Sequence, residues 1–307
     1  MTLQIGILGA RGIGKVHARI FHLLGTEVRA VLGSSPETAR KAAEDLEASV
    51  GCKPKPFSDL ASFLNEPLDA VSICTPPNQH FSQIMAAFDK GIAVFCEKPL
   101  FWDESLLQNE VSDRLRQLRL HPSRRLFMNA PSAFFLADIN KWLKPKQEIQ
   151  VLKFNFHTRG KFRYMDIASD LFTHGMSIVL KTLGSNIVTN FSSAVRDDHY
   201  NCTFHYGNCN VEFDFHEDVS GDKLFALEVD GRMFTRIQEG EGNSYRIFIH
   251  DSLTSDKVEI TDPFNQSIQS FISYCGKQAP AGQDKFEEAE LITHIMAQNL
   301  LSTKDQN

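Results

Sequence analysis

The stretch Leu3-Gln-Ile-Gly-Ile-Leu8, then Gly9-Ala10-Arg11-Gly12-Ile13-Gly14, then Lys15-Val-His17-Ala-Arg-Ile-Phe-His-Leu-Leu24, decides the fold. Its first six residues are an apolar run of strand length, the glycines follow at once, and from Lys15 the apolar residues recur at helical spacing. Strand, glycine turn and helix make the opening unit of a nucleotide-binding α/β fold. There the N–H groups of the turn and the helix N-terminus hold a pyrophosphate. Glycine fills the first and last positions of the usual G-x-G-x-x-G at 9 and 14. The middle position is Arg11, with Gly12 beside it to recover some of the room. A tight turn without a ligand is the plainer alternative, and the residues that follow weigh against it.

Residues 27–32 read as a second strand and 36–48 as a helix with Pro36 in its first turn. Residues 68–74 form a third strand ending at Thr75-Pro76-Pro77, a helix covers 80–89, and residues 92–96 run into Glu97-Lys98-Pro99. A helix over 103–120 and a strand over 125–129 complete the pattern. Strands alternating with helices at this spacing predict a doubly wound parallel sheet with right-handed crossovers, a Rossmann domain over residues 1–128. Beyond residue 130 the period changes to two. The stretches 147–157, 201–206, 210–216, 223–230, 232–238, 245–250 and 257–260 alternate polar with apolar residues between Gly/Asn/Asp turns. Residues 129–307 are therefore expected to form an α/β domain with a large open antiparallel sheet. Two helices, 263–274 and 285–301, close the chain around a loop at 276–282.

With 307 residues, 42% hydrophobic and 23% charged, the chain is long enough for two cored domains and too ordinary in composition for disorder, collagen or coiled coil. No apolar run reaches the roughly 20 residues of a membrane span. The N-terminus has neither a basic region nor a cleavable apolar segment, so no secreted precursor is expected. The net charge is −6, and the only basic cluster is Arg114, Arg116, Arg119, Arg124 and Arg125, which argues against a nucleic-acid partner. Six scattered cysteines without Cys-x-x-Cys read as reduced thiols of a cytoplasmic protein, with no metal site expected.

The chemistry gathers where strands end. An NAD-preferring fold of this kind places an acid at the end of its second strand to bind the ribose hydroxyls, but here the sequence is Leu32-Gly33-Ser34-Ser35. Without that acid a 2′-phosphate is not repelled. Ser34, Ser35 and Arg11, with Arg40, could then hydrogen-bond or neutralise it, which favours NADP over NAD, unless the serines only cap the next helix. Thr75 and Pro76 with His80, and Glu97 with Lys98, follow parallel strands at the carboxyl edge, where ligands bind; Glu97 and Lys98 taken alone also read as a surface ion pair. Asp170 and His174, four residues apart, share one face of a helix. His174 suits the exchange of a hydroxyl proton near neutral pH. Lys98 would stabilise a developing alkoxide, and Asp170 would orient His174 or bind a second hydroxyl. An ordinary helix pair is the alternative for Asp170 and His174.

Taken together, Gly9-x-x-Gly12-x-Gly14-Lys-Val-His17, Thr75-Pro76-x-x-x-His80, Lys90-Gly-Ile-Ala-Val-Phe-Cys-Glu97-Lys98-Pro99 and Asp170-x-x-x-His174 resemble the glucose–fructose oxidoreductase, inositol dehydrogenase and MocA family of NAD(P)-dependent oxidoreductases. The resemblance runs from the first strand to the last helix, and Glu-Lys-Pro in register with its strand is its most specific part. It implies a Rossmann domain followed by an open-sheet α/β domain, and reversible oxidation of a sugar or cyclitol hydroxyl. The lysine of Glu-Lys-Pro and the Asp/His pair would meet over the nicotinamide. It also implies a homodimer or homotetramer through the outer face of the C-terminal sheet.

Two departures bear on the substrate. Phe172 stands where the family usually has glycine in Asp-x-Gly-x-His, which predicts a reshaped pocket, and residues 129–135 lack an arginine common in relatives. A cofactor-binding sensor without turnover, and a biosynthetic reductase of an imine or amino-acid-derived substrate, are the competing functions; retention of Lys98 and His174 argues against the sensor. Assembly has a reading from the residues as well. Val211, Phe213 and Phe215, with Cys202, Phe204 and Tyr206 on the neighbouring strand, suggest a second sheet face too apolar for water and hence a self-covering interface.

Overall fold

Glycine turns and β-branched runs place strand after strand in one parallel layer. The structure is a computed structural model that describes residues 2–139, 143, 148–240, 245–276 and 284–301. The expected 276–282 loop lies, after Gly276, outside the described residues. The first unit runs through β1 (Gln4–Leu8), α1 (Ile13–Leu23), β2 (Glu27–Leu32), α2 (Pro36–Val50), β3 (Lys55–Phe57) and α3 (Leu60–Leu64). It continues with β4 (Ala70–Ile73), α4 (Pro77–Asp89), β5 (Ala93–Glu97), α5 (Gln108–Leu120) and β6 (Leu126–Asn129). The strand order is β3-β2-β1-β4-β5-β6, every pairing parallel, so the connection reverses direction between β1 and β4. β4, β5 and β6 are buried along their whole length, as strands covered on both faces by helices must be. β3 was not foreseen. Its three residues Lys-Pro-Phe have no usable period, and Pro56 is tolerated because β3 is an edge strand.

The second unit holds α6 (Ser132–Ile139), β7 (Val151–Thr158), α7 (Met165–Leu183), β8 (Val188–Val195), β9 (His199–Tyr206), β10 (Cys209–Glu217) and β11 (Leu224–Val229). β12 (Arg232–Glu239), β13 (Arg246–Asp251) and β14 (Lys257–Ile260) follow, and the helices α8 (Pro263–Gly276) and α9 (Phe286–Met296) come after them. Its eight strands are ordered β14-β13-β12-β11-β7-β10-β9-β8. The expected open antiparallel sheet is present with one exception, since β7 and β10 pair in parallel. The long connection through α7, β8 and β9 lets β10 enter beside β7 in the same direction. β8 was missed because Val-Thr-Asn-Phe-Ser-Ser-Ala-Val lacks clean alternation. Its register slips between Thr189 and Ser192, where Asn190 takes φ +53°.

Two further differences concern organisation. The chain divides into Met1–Asn129 with Ser267–His294, and Ala130–Gln266 with Ile295–Asn307. Residues 267–294, assigned by sequence to the second domain, thus cluster with the first. Phe271 lies 5.2 Å from the Phe95 ring and 5.5 Å from Phe127. Asp284 accepts hydrogen bonds from Arg124 and from the backbone of Leu126. An amphipathic helix shows only that it needs an apolar partner, not which sheet supplies it.

The second difference concerns the large sheet. Val211, Phe213, Phe215, Cys202, Phe204 and Tyr206 do share a face, but they are at most 2% exposed within the chain. Phe172 of α7 packs 5.6 Å from the Phe213 ring. A side chain added to Gly175 would come within 2.6 Å of that same ring. The face left uncovered by α7 carries Glu212, Asp214, His216, Asn201 and Thr203 instead, so it is polar and not apolar.

Candidate functional site

Parallel packing aligns the carboxyl ends of β2, β1, β4 and β5 side by side, and the turns that leave them carry most of the expected cofactor residues. After β1 the chain folds tightly on itself. A Cβ at Gly9, where φ is +81°, would come 2.8 Å from the Cys74 carbonyl oxygen, and one at Gly14 would come 2.0 Å from that of Gly9. These two glycines let the helix and β4 close on the turn. Gly12 differs, for at φ +52° its added Cβ would meet nothing within 4 Å. Arg11 and Gly12 are exposed and Ile13 is half-buried. No side chain caps α1 and no acid stands in its first turn. An open glycine turn under an uncapped helix N-terminus, beside the point where strand order reverses, fits the pyrophosphate of a dinucleotide.

At the end of β2 the hydroxyl of Ser35 accepts from the Thr38 backbone N–H at 3.2 Å, and the Thr38 hydroxyl accepts from that of Ser35 at 2.8 Å. Ser35 is thus the N-cap of α2, and its backbone and hydroxyl are committed to the helix. Ser34 is exposed, its hydroxyl 3.3 Å from that of Thr38. No acid stands from residue 32 to 35.

Thr75 and Pro76 leave β4 at the same edge, Thr75 half-buried and Pro76 exposed. His80, expected beside them, is buried. Its ring nitrogens lie 2.7 Å from the Thr75 carbonyl oxygen and 3.0 Å from that of Pro99. Burial lowers its basicity. His80 therefore ties the turn after β4 to the turn after β5, a positioning group and not a contact surface.

Glu97 also turns inward, which parts it from the surface ion pair that sequence alone allowed. Its carboxylate lies 2.8 Å from His17 Nε2 and accepts from Asn129 Nδ2 at 2.6 Å. His17 Nδ1 lies 2.9 Å from the Ser72 hydroxyl and 3.3 Å from Cys74 Sγ, and Ser267 donates to Asn129 Oδ1 at 2.8 Å. Burial works against both charges. The Cys74 sulfur and the Glu97 carboxylate overcome it at His17, raising its pKa to about 10, while the His17 contact overcomes it at Glu97, lowering its pKa to about 2. The result is a buried imidazolium–carboxylate pair joining α1, β5 and β6. It leaves the next residue, Lys98, half-buried at the strand edge. Sequence reading quoted His17 without giving it a role. The available signal was a polar residue on the buried stripe Gly14, His17, Ala18, Phe21 of α1.

The second unit positions Asp170 and His174 one turn apart on α7, both half-buried. The Ser132 hydroxyl lies 2.8 Å from His174 Nδ1, and the Phe156 ring stands edge-on 5.2 Å from the imidazole. Ser132 was not anticipated; it orients the imidazole through its inner nitrogen. Phe172, expected to reshape a pocket, is fully buried against Phe213 and Phe191 and fills the core under the helix instead. All six cysteines are unpaired, and no group of His, Cys, Asp or Glu among the described residues has the arrangement of a metal site. No helix among the described residues is long and apolar enough to cross a membrane.

Comparison with known proteins agrees with this geometry. Residues 3–111 match the model described as oxidoreductase family, NAD-binding Rossmann fold, of the Gfo/Idh/MocA group. Inositol 2-dehydrogenase of Rhizobium meliloti (strain 1021) is 33% identical over 128 residues, covering 41% of this chain and 37% of that enzyme. The chain thus spans little more than a third of the length of that relative. Among solved structures, UDP-N-acetylglucosamine 3-dehydrogenase GnnA from Acidithiobacillus ferrooxidans superposes with a TM-score of 0.73 at 18% identity, covering 98% of both chains. Myo-inositol dehydrogenase from Lactobacillus casei, solved with NAD(H) and myo-inositol, gives 0.73 at 18% identity over 100% of this chain and 96% of that one. At these identities the structures show a shared two-part fold. The Rossmann topology and the glycine turn under an uncapped α1 agree with the match of residues 3–111 to the NAD-binding Rossmann domain of Gfo/Idh/MocA oxidoreductases.

Proposed function

We propose that the chain is an NAD(P)-dependent dehydrogenase or reductase acting on a CH–OH group of a sugar, cyclitol or related small polar molecule. The observation that carries this reading is the strand edge of the first unit, where an uncapped α1, an open Gly12 and the half-buried Lys98 border one rim. When bound, the nicotinamide takes up or supplies a hydride. Gly9, Arg11, Gly12, Ile13 and Gly14 hold its pyrophosphate, with Thr75 and Pro76 bordering the same groove. Ser34 and Arg11 favour a 2′-phosphate, since no acid stands at residues 32–35, whereas Ser35 is spent on the helix cap and Arg40 pairs with Glu44. Lys98 holds the reacting oxygen and stabilises charge on it. His174, oriented by Ser132, exchanges the hydroxyl proton, and Asp170 supports the imidazole or a second hydroxyl. The unpaired thiols are consistent with a reducing, cytoplasmic setting.

The test measures NADPH consumption against a panel of keto-sugars and aldehydes. Lys98→Ala and His174→Ala are each expected to lower turnover by about 10²–10⁴-fold while leaving cofactor affinity nearly unchanged. Undiminished turnover in either variant would remove that residue from the mechanism.

A further inference from the structure

The sheet of the second unit carries a cleft of about 660 Å³ that no role has yet used. Phe156, Phe225, Thr158, Gln238, Lys223 and Arg236 are among its walls, and the described lining residues include two permanent cations and no carboxylate. In a chain of net charge −6 that is a local inversion, and a concave site concentrates the field it creates.

Arg236 is the unusual member. It is largely withdrawn from water, and among the described residues its Nε is buried without a hydrogen-bond partner and its Nη2 reaches only Gln238 Oε1, at 3.5 Å. Asp262 is the carboxylate acting on it electrostatically. That carboxylate is occupied by the Tyr245 hydroxyl and the Phe264 backbone N–H, and no ion pair joins it to Arg236 among the described residues. A guanidinium held in low dielectric with an unused donor lacks the anion its geometry suits.

Register places this cation relative to His174. Phe156 pairs with Phe225, and the β11–β12 pairing of Ala226 with Thr235 sets Arg236 opposite Phe225 one step further. Phe156, whose ring meets His174 edge-on, thus stands two strands from Arg236, roughly 10 Å at the usual strand spacing. A hexose-sized ring bearing one acidic substituent bridges that span.

We propose that the cleft binds the anionic group, a carboxylate or a phosphate, of the molecule whose hydroxyl His174 serves, so that the substrate is a sugar- or polyol-derived acid or phosphate and not a neutral cyclitol. This rests on the catalytic reading of His174 given above. Arg236 supplies the paired donors, Lys223 adds charge at the mouth, and Phe156 and Phe225 form the apolar floor.

The experiment titrates the full chain calorimetrically with glucuronate, glucose 6-phosphate and, as the neutral control, glucose, and measures NADPH binding separately. One of the two anions is expected to bind at least about tenfold more tightly than glucose, and whichever does so identifies the group as carboxylate or phosphate. Arg236→Gln should cost that anion roughly 10- to 100-fold in affinity and leave glucose unaffected. Arg236→Lys, which keeps the charge but loses the fork, guards against misfolding and should cost less. Equal binding of glucose and both anions overturns the proposal, and so does an anion preference that survives in Arg236→Gln. Failure to bind NADPH would instead sink the dehydrogenase reading, and the anion titration would stand by itself.

Discussion

His17 and Glu97 illustrate how one pair of side chains sets a measurable property. Glu97 has its pKa lowered from 4.5 to about 2, so its contribution to stability is complete above the unfolded value and is lost as pH falls from about 4.5 toward 2. His17 has its pKa raised from 6.5 to about 10, so its contribution is complete below the unfolded value and is lost as pH rises from 6.5 toward 10. Stability is therefore expected to plateau between about pH 4.5 and 6.5 and to fall on the alkaline side. Urea unfolding across this range checks it, with His17→Gln as the comparison; a variant with the same alkaline slope as the parent would remove His17 as the cause. Truncation of His17 to alanine leaves the Glu97 carboxylate buried without its imidazolium, at a cost of about 3–5 kcal/mol. The pairing was not legible in the sequence. His17 and Glu97 are eighty residues apart, and only the parallel register of β5 beside β4, with α1 packed across them, brings them together.

At the level of elements, the proposed preference for NADP(H) rests on the β2–α2 junction. Gly33 packs so tightly that an added Cβ would come 2.5 Å from the Ala39 backbone nitrogen, and Ser35 closes the cap, which leaves Ser34 exposed ahead of Glu37 in the first turn of α2, while Arg11 is exposed on the turn after β1. NADPH is expected to bind more tightly than NADH, and dissociation constants measured by nicotinamide fluorescence check this; a tenfold preference for NADH would overturn it. Elements with a strong period, such as α1, α2, α4, β7 and β9 to β13, could be read from the chain because each buries one stripe or one alternate set of residues. β3 and β8 could not. One is three residues long around a proline, and the other bends at Asn190, so neither presents a period to read.

At the scale of the molecule, β7, β9 and β10 of the large sheet turn their aromatic residues toward α7 and their charged ones outward. His157 lies 3.7 Å from Asp214, which His199 also contacts, and His216 lies 2.9 Å from Asp198. The His157 and His199 contacts hold Asp214 low, at about 2. A dimer formed on this face, as the family resemblance implies, would therefore rest on polar and charged contacts and not on buried phenylalanines. Its association is expected to weaken as salt rises, because exposed charges are screened over about 10 Å at 0.1 M. Sedimentation equilibrium at micromolar concentration in low and high salt measures this; an assembly indifferent to salt would point to another, apolar surface.

The sequence by itself determined the Rossmann unit, the glycine turn, the missing acid after β2 and the candidates Lys98, Asp170 and His174. Each is written in local spacing, where strand period, helix period and turn chemistry act over a few residues. The tertiary structure alone decided which way the polar residues look. It turned Glu97 and His80 inward, sent Phe172 into the core and gave α8 to the first unit. It also left Arg236 without an ion pair in a cleft among the described residues. Those outcomes depend on which distant surfaces meet, and a hydrophobic pattern states only that a face must be covered, not by what.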